Sequence, residues 1–251
     1  MTGFSIGIPV YNEEAILVSH TERLLAFLDG LGREYEVLIG SNGSTDATPA
    51  LGAELARRFP RVSFFHVPER GVGHAFREFV RRARHPFLVS VDMDLSVELS
   101  FIPTALELLE THEIVVGSKK LGRQKRTWFR KFASDTFLRV VRLLLGLPYD
   151  DYSIAAKAFR VDMLRRFSER IDFGTSYVLE MCYLTKRAGG RIVQVPASCE
   201  DLRASKFNLL YEAYYKYAHL FRLWLRAHSN PAQGGSRREA SRADSPPTVG
   251  E

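Results

Sequence analysis

Short apolar runs alternate with longer amphipathic segments along the first ninety residues of the chain. The runs cover residues 4–10, 36–40, 62–67 and 87–91, and their β-branched and aromatic content predicts four strands. Apolar residues at helical spacing predict helices that extend to residues 31, 59 and 84, the second of them capped by Ser44 or Thr45. This repeated alternation predicts a doubly wound α/β fold with a mostly parallel sheet.

Polar residues follow each predicted strand at the point where it ends. They are Tyr11 and Glu13 after the first strand, Asn42 and Asp46 after the second, Arg70 after the third, and Asp92 and Asp94 after the fourth. The carboxyl ends of parallel strands meet at one edge of a sheet, and ligands of open α/β sheets bind at that edge. We therefore expect these side chains to form one site.

The pair Asp92 and Asp94 carries the clearest chemistry of this edge. Two carboxylates this close repel each other unless a cation lies between them, and Mg²⁺ or Mn²⁺ combines oxygen ligands with substrate phosphates. The pair therefore predicts a site for a metal ion and a diphosphate. The alternative is that both residues only cap the helix that follows, since aspartate is common at helix N-termini.

Positive charge is concentrated in one part of the chain. The net charge of the protein is +6, yet residues 119–142 alone contain nine basic residues and one acidic residue. A basic segment of this kind predicts an anionic partner, which is phosphate groups, nucleic acid or an acidic membrane surface, although a solvated helix face has the same composition. No nucleic-acid-binding motif accompanies it, so we expect no nucleic acid partner.

Composition also bears on the cellular location. Two cysteines do not make a disulfide framework, and no apolar stretch reaches the length that a membrane span needs. The N-terminal residues lack the features of a secretory signal. We expect a cytoplasmic protein that is soluble or peripheral.

Eight short motifs carry a resemblance to a known family. IPVYNEE at 8–14, SNGSTDAT at 41–48, RGVGHA at 70–75 and DMDLS at 92–96 resemble the inverting GT-A glycosyltransferases. GSKK at 117–120, RKFAS at 130–134, LLGLPYDD at 144–151 and DLRASK at 201–206 resemble the dolichyl-phosphate mannose synthase and polyprenyl-phosphate glycosyltransferase branch. The resemblance covers about residues 4–226. It implies a Rossmann-like GT-A fold, with a mostly parallel sheet flanked by helices.

The resemblance implies a role for each residue that stands in a matching motif. Nucleotide binding falls to Pro9, Tyr11, Glu13, Asn42, Asp46, Arg70, Gly73 and Asp92, and Mg²⁺ or Mn²⁺ binding to Asp92, Asp94 and Ser96. The resemblance assigns binding of the acceptor phosphate to Lys119, Arg126 and Arg130. It assigns catalysis to Asp92, Asp94, Lys119 and Arg130. The implied substrates are GDP-mannose or a UDP-hexose and a polyprenyl phosphate.

Six residues, at four places in the chain, depart from the pattern of that branch. Lys119 replaces an arginine, and Ser41 and Asn42 replace two aspartates. An amide offers both a donor and an acceptor, so Asn42 favours uracil over guanine. Phe79 replaces a small residue, and Ala155–Ala156 replaces Gly-Phe, two changes that bear on the acceptor or the sugar.

The C-terminal part of the chain divides into a helix and a tail. Residues 1–206 are predicted to form the catalytic domain, 207–228 an aromatic and basic amphipathic helix, and 229–251 a disordered tail. The helix predicts peripheral binding at the cytoplasmic face of a membrane. Packing of its aromatic residues on the domain or in a dimer contact is equally compatible. A second interfacial helix is predicted around Phe129, Phe132, Phe137 and Leu138.

These observations predict a metal-dependent hexosyltransferase that acts on a polyprenyl phosphate. A phosphate acceptor is largely dianionic at neutral pH and needs no dedicated general base. Two alternatives remain: a transferase with a soluble or glycan hydroxyl acceptor, and a nucleotide-binding scaffold that has lost catalysis. The intact Asp92 and Asp94 argue against the scaffold.

Overall fold

The computed structural model describes residues 2–118, 128–152, 154–198 and 209–229, except for the side chains of residues 128–132, 209–212 and 229. The strands are β1 Phe4–Val10, β2 Tyr35–Asn42, β3 Val62–Val67, β4 Phe87–Ser90, β5 Ile114–Ser118, β6 Lys157–Arg160 and β7 Ile192–Pro196. The helices are α1 Leu17–Asp29, α2 Thr48–Arg58, α3 Val72–Arg82, α4 Phe101–Leu108, α5 Trp128–Leu145, α6 Val161–Arg166, α7 Tyr177–Arg187 and α8 Leu209–Ser229.

The strands of the described ranges form one sheet in the order β3-β2-β1-β4-β6-β5-β7. Strand β1 lies between β2 and β4 and is parallel to both, and β2 is also parallel to β3. Strand β6 runs antiparallel to both of its neighbours, whereas β5 and β7 are parallel to each other. The predicted mostly parallel sheet flanked by helices is confirmed, and β1 and β3 have their predicted bounds.

Helices cover both faces of the sheet, which makes the central strands apolar on both sides. One buried cluster joins β1 to α1 and α4, with Ile8, Leu24 and Ile102 among its members. The other joins the opposite face to α3, α7 and α8, and it includes Phe76 and Met181. Burial on both faces explains why the strands are continuous hydrophobic runs rather than alternating ones.

Phe79 holds α3 close to the sheet. A Cβ atom on Gly7 of β1 would lie 2.8 Å from the Phe79 ring, and one on Gly40 of β2 would lie 2.9 Å from it. The ring is fully buried and meets Phe65 edge-on, with 5.4 Å between the ring centroids. Phe79 is therefore a core residue that fills the space above two strand glycines.

The predicted cap of α2 is wrong. The helix begins at Thr48, whose backbone N–H donates to Asp46 Oδ1 at 2.9 Å. Ser44 Oγ instead accepts hydrogen bonds from the backbone N–H of Asn12 and from the Ser41 hydroxyl. The polar residues of the turn after β2 therefore bind the loop after β1, and helix α2 starts only at Thr48.

Candidate active site

The loops after β1 and β2 are joined by hydrogen bonds at the carboxyl edge of the sheet. Thr45 N–H donates to Asn12 Oδ1 at 2.8 Å, and Glu13 N–H donates to Thr48 Oγ1 at 2.8 Å. Asn12 has a φ of +52°, a left-handed conformation that asparagine tolerates better than most residues. The predicted clusters after these two strands therefore form one connected surface.

Asp46 holds the start of α2 rather than standing free at this surface. Its Oδ2 accepts the Glu14 N–H at 3.2 Å, and the Glu14 carboxylate in turn accepts the Ala47 N–H at 2.8 Å. Burial raises the pKa of Asp46, but its hydrogen bonds with Thr48 and Glu14 outweigh that effect and hold the pKa below its ordinary value. Its contact with a nucleotide stays a prediction.

Asn42 ties the ends of three neighbouring segments together. Its amide donates to the carbonyl oxygen of Val10 at 3.0 Å and accepts from the Gly71 N–H at 3.4 Å. The side chain is buried. These two bonds use one amide hydrogen and one oxygen lone pair of Asn42. One hydrogen and one lone pair remain for a uracil base, so the selection of uracil by this residue stays a prediction.

Arg70 and Tyr11 form a stacked pair across the same edge. The guanidinium carbon of Arg70 lies 4.4 Å from the centroid of the Tyr11 ring, within the range of a cation–π contact. Gly43 makes this approach possible, because it has a φ of +72° and a Cβ there would lie 3.1 Å from the Arg70 backbone. The pair brings a cation and an aromatic ring to the place where the loops after β1, β2 and β3 meet.

Asp92 and Asp94 lie in a tight turn just beyond β4. Leu95 N–H donates to the Asp92 carbonyl at 3.1 Å, Ser96 N–H donates to Asp94 Oδ1 at 3.0 Å, and Leu95 has a φ of +49°. The His20 ring nitrogen lies 2.9 Å from the Met93 carbonyl and supports the turn from α1. Because α4 begins only at Phe101, the alternative that both aspartates cap the next helix is wrong.

The donor set at this turn fits a metal ion that arrives with its substrate. Among the residues described by the structure, no group of three or more His, Cys, Asp or Glu side chains is arranged to hold a metal. Mg²⁺ commonly uses one or two protein carboxylates and takes its other ligands from water and substrate phosphates. Exposed Asp92 and half-buried Asp94 match that requirement, with Ser96 beside them as the third predicted ligand.

Tyr177 is a neighbour of this turn that the sequence did not reveal. It is the first residue of α7, and its buried hydroxyl forms a hydrogen bond with the Ser90 side chain at the end of β4. Burial raises the pKa of Tyr177 above its ordinary range, and the negative charge of Asp92 raises it further. No motif or periodicity marks this tyrosine, because only the packing of α7 on β4 brings it to Asp92.

Asp172 organises a loop that adjoins the edge and was also missed. Its Oδ2 accepts the backbone N–H groups of Gly174 and Ser176, at 3.0 and 3.1 Å. Its Oδ1 accepts the hydroxyl of Tyr215, which lies on α8, at 2.6 Å. A Cβ on Gly174 would collide with that tyrosine hydroxyl. Helix α8 is therefore fixed directly to the loop of residues 171–176.

His219 on α8 lies between the buried carboxylate of Glu180 and the largely buried carboxylate of Asp172. Its Nδ1 is 3.4 Å from Asp172 Oδ1, its Nε2 is 3.5 Å from Glu180 Oε2, and Arg226 lies 3.8 Å from the same glutamate. Burial lowers the pKa of His219, but its bonds with Asp172 and Glu180 outweigh that effect and raise the pKa to about 9. The imidazole is therefore protonated at neutral pH and bridges α8 to α7.

The loop of residues 171–176 in turn contacts the start of α3. Gly73 N–H donates to the Phe173 carbonyl at 2.9 Å, and the His74 ring stacks on the Phe173 ring with 4.4 Å between centroids. A Cβ on Gly73 would overlap the backbone carbonyl of Asp172. The predicted nucleotide-binding glycine is thus pressed against a loop that α8 holds.

The predicted second interfacial helix exists, but it does not lie as expected. Leu138 of α5 is buried in the core, and Phe137 packs edge-on against Tyr217 of α8 with 5.3 Å between ring centroids. The side chains of Phe129, Phe132 and Arg130 lie outside the described residues, although their backbone belongs to α5. Lys119, Arg126 and the motif at 201–206 lie outside the described residues altogether.

Helix α8 has one buried and one exposed face. Leu220 and Leu223 are buried against the domain, so the packing alternative is correct for that side. The opposite side carries exposed apolar and aromatic residues: Tyr214 (74% exposed), Tyr217 (39%), Phe221 (53%) and Leu225 (44%). We call these four residues the outer face of α8. The helix ends at Ser229, the first residue of the predicted tail, and the rest of that tail lies outside the described residues.

Comparison with known proteins adds a family and a relative. The sequence profile of glycosyl transferase family 2 matches residues 5–168. The chain is 27% identical over 163 residues to undecaprenyl-phosphate 4-deoxy-4-formamido-L-arabinose transferase of Edwardsiella ictaluri, an alignment of 64% of this chain and 50% of the relative. The chain thus spans about half the length of this curated relative.

Solved structures share the fold over most of the chain. Glucosyl-3-phosphoglycerate synthase of Mycobacterium tuberculosis, in complex with Mn²⁺, UDP and phosphoglyceric acid, superposes with a TM-score of 0.64 at 20% identity, covering 93% of this chain and 81% of the other. Mannosyl-3-phosphoglycerate synthase of Rubrobacter xylanophilus gives 0.68 at 11% identity, with 95% and 78% coverage. At these identities the likeness concerns the fold.

Proposed function

The chain belongs to glycosyl transferase family 2, and from that premise we propose that it transfers a hexose from a UDP-sugar to a polyprenyl phosphate, with inversion at the anomeric carbon. The observation that carries the reaction class is the turn at Asp92 and Asp94, which lies beside the joined loops at the carboxyl edge of β1, β2 and β4. The observation that favours a lipid acceptor is the outer face of α8.

The donor is proposed to lie across the carboxyl edge of the sheet. Arg70 and Tyr11 offer a cation and a ring for the nucleotide. The Gly73 backbone is packed against residues 172 and 173, so a contact of Gly73 with the nucleotide stays a prediction. Asp92 and Asp94 would hold Mg²⁺ or Mn²⁺ against the diphosphate. When bound, the metal neutralises the charge that develops on the leaving diphosphate.

The acceptor supplies its own nucleophile in this proposal. An oxygen of the acceptor phosphate forms a bond to the anomeric carbon while the bond from that carbon to the donor diphosphate breaks, and the nucleoside diphosphate leaves with the electron pair. No proton has to be removed, because the phosphate monoester is largely dianionic above a pH of about 6. Lys119, Arg126 and Arg130 are proposed to hold this phosphate, and their charge allows the two anions to approach.

A uridine nucleotide is expected to stabilise the protein against heat only together with the metal. A ligand at about a hundred times its Kd adds roughly 2.7 kcal/mol to the free energy of unfolding, which corresponds to a rise of about 5–10 °C in Tm for a chain of this size. The measurement is a thermal scan with UDP, GDP, ADP and CDP, each with and without Mn²⁺.

Mn²⁺ alone serves as the control in this scan. A metal-dependent shift with GDP would replace the uridine donor by a guanosine donor. The absence of a shift with every nucleotide would contradict the proposed activity and favour the scaffold alternative.

Membrane binding through the outer face of α8 is expected to depend on Phe221. The exposed aromatic residues of this face are flanked by exposed Arg222, a combination that favours the interface of an anionic membrane. Replacing Phe221 with aspartate is expected to lower the partition coefficient by about tenfold or more, since burying a phenylalanine contributes roughly 1.5–3 kcal/mol. The measurement is sedimentation with phosphatidylglycerol-containing vesicles.

Ala53→Asp is the matched control, because Ala53 is exposed on α2 and the change adds the same charge. Binding of the unmodified protein should weaken at high salt, where exposed charges are screened. If Phe221→Asp sediments like Ala53→Asp, the outer face of α8 does not contact the membrane. If neither the unmodified protein nor the variants sediment, a soluble acceptor replaces the lipid acceptor.

A further inference from the structure

We propose that Asp172 is a positioning residue for the donor site, through which helix α8 holds the glycine segment at 70–73 in its binding conformation. This inference rests on the proposed function, because it takes that segment as part of the donor site. Asp172 itself is not placed in contact with substrate. It acts on the site through the loop of residues 171–176.

Asp172 fixes the loop of residues 171–176 from both sides. One carboxylate oxygen accepts two backbone N–H groups within the loop, those of Gly174 and Ser176. The other accepts the Tyr215 hydroxyl at 2.6 Å and lies 3.4 Å from His219 Nδ1. A charged acceptor with this number of donors is held in one place, and so is the loop that supplies the N–H groups.

The loop determines where the glycine segment lies. The Phe173 carbonyl accepts the Gly73 N–H at 2.9 Å, at the first turn of α3. Gly71 has a φ of +153° and its N–H is directed at Asn42 Oδ1, 3.4 Å away. The backbone of 71–73 is therefore held by the loop on one side and by the end of β2 on the other.

The glycine segment and the loop are packed so closely that neither can shift without moving the other. A Cβ on Gly71 would lie 2.5 Å from the Phe173 carbonyl oxygen, and one on Gly73 would overlap the Asp172 carbonyl. Glycine backbone packed against backbone cannot move aside as a flexible side chain does. A displacement of the loop would thus be passed directly to the segment of residues 70–73.

Helix α8 supplies Tyr215 and His219, which bind Asp172, and α7 supports His219 from the other side. His219 is bridged to Glu180 of α7, and Arg226 of α8 lies near the same glutamate. Glu180 is buried and His219 is only 12% exposed, so bulk water has little access to this pair, whereas Arg226 is exposed. Loss of the Asp172 carboxylate would leave the Tyr215 hydroxyl and the two loop N–H groups without this acceptor.

The experiment compares Asp172→Ala and Tyr215→Phe in the full chain with the unmodified protein. Hydrogen exchange of the peptide covering residues 70–76 is measured first, because it needs no ligand. The dissociation constant for UDP with Mn²⁺ follows by calorimetry, together with the KM for the donor and kcat. For Asp172→Ala we expect about tenfold faster exchange of the Gly73 amide and about tenfold weaker UDP binding. We expect a raised KM with little change in kcat.

Asp162→Ala is the matched control. Asp162 also accepts a backbone N–H, that of Met163, and it pairs with Arg160, but it lies at the start of α6, at the opposite edge of the sheet. Its side chain is exposed, so Asp162→Ala should lose little stability and should keep its UDP affinity. Tyr215→Phe removes one hydroxyl and is expected to give an intermediate effect in a folded protein. Asp172→Asn keeps an acceptor for the two loop N–H groups and should restore most of the affinity.

Three negative outcomes have different meanings. Exchange at residues 70–76 and UDP affinity that stay unchanged in folded Asp172→Ala would overturn the positioning role and leave the proposed function intact. Faster exchange in a protein whose unmodified form binds no nucleotide would overturn the proposed function and, with it, the role of Asp172 at a donor site. Equal losses of UDP affinity in Asp172→Ala and Asp162→Ala would mean that a general loss of stability, and not the position of the loop, lowers the affinity.

Discussion

Replacing Asp94 with alanine is expected to lower glycosyl transfer by about a thousandfold, because a metal ion on a phosphoryl oxygen supplies several kcal/mol of transition-state stabilisation and each 1.36 kcal/mol changes the rate tenfold. The fold should persist. Asp94 is half-buried at the edge of the sheet, and its side chain accepts a hydrogen bond from the Ser96 N–H in the same turn. The measurement is the transfer rate at saturating donor and Mn²⁺, together with Tm.

Glu54→Ala is the control for Asp94→Ala, since Glu54 is an exposed carboxylate on α2. It should leave both the rate and Tm unchanged. Asp94→Asn removes the charge and keeps an oxygen, so it should fall between alanine and the unmodified protein, with recovery at higher metal concentration. Turnover that survives in Asp94→Ala would show that the metal is held elsewhere.

Replacing Gly73 with alanine is expected to lower the free energy of unfolding by about 2–3 kcal/mol, the upper range for overpacking, and Tm by roughly 5–10 °C. The added Cβ would overlap the Asp172 carbonyl and lie 2.6 Å from the Phe173 carbonyl carbon. Both partners are backbone atoms, so either α3 or the loop of residues 171–176 must shift. The measurement is urea unfolding combined with UDP binding.

Gly30→Ala is the matched control for Gly73→Ala. Gly30 follows α1 with a φ of −67°, and the nearest atom to its added Cβ lies 3.3 Å away. This change should cost little or even stabilise, because alanine lowers the entropy of the unfolded chain. Equal stability of the two variants would mean that the contact between α3 and the loop is loose in solution.

The strands could be predicted where burial on both faces makes them continuous apolar runs. Strand β1 has the predicted bounds for that reason, and β4 differs by one residue. Strand β3 also has its predicted bounds, although it lies at the edge of the sheet and is only partly buried. Strand β6 carries no such signal, because it is four residues long and includes Lys157, which is buried. Its antiparallel direction follows from the packing of its neighbours, which a local pattern does not contain.

The helix start after β2 could not be placed because polar residues compete for the same partners. Ser44 and Thr45 are good capping residues by composition, but they bond to Asn12 from the preceding loop. Asp46 takes the Thr48 N–H instead. Which of several adjacent polar residues caps a helix depends on contacts from another strand.

Some residues of the candidate site are marked by the local sequence, and others are not. The positions of Asp92, Asp94 and Arg70 at the carboxyl edge could be predicted because each follows a strand within a short motif, and their roles in binding stay predictions. Tyr177 and Asp172 could not, because each reaches the site through the packing of α7 or α8. Asp172 and Tyr215 are 43 residues apart, and nothing in the spacing of one refers to the other.

The contacts of α8 with Asp172 also affect the order in which parts of the protein fold during synthesis. The strands that carry Asn42, Arg70 and Asp94 leave the ribosome early, whereas α8 is made after every other described element. Until Tyr215 and His219 reach Asp172, the loop beneath Gly73 lacks its fixed position. If Asp172 positions the donor site as proposed, a nascent chain would have its sheet before it has a competent site, and the synthesis of α8 would set the moment at which the donor site forms.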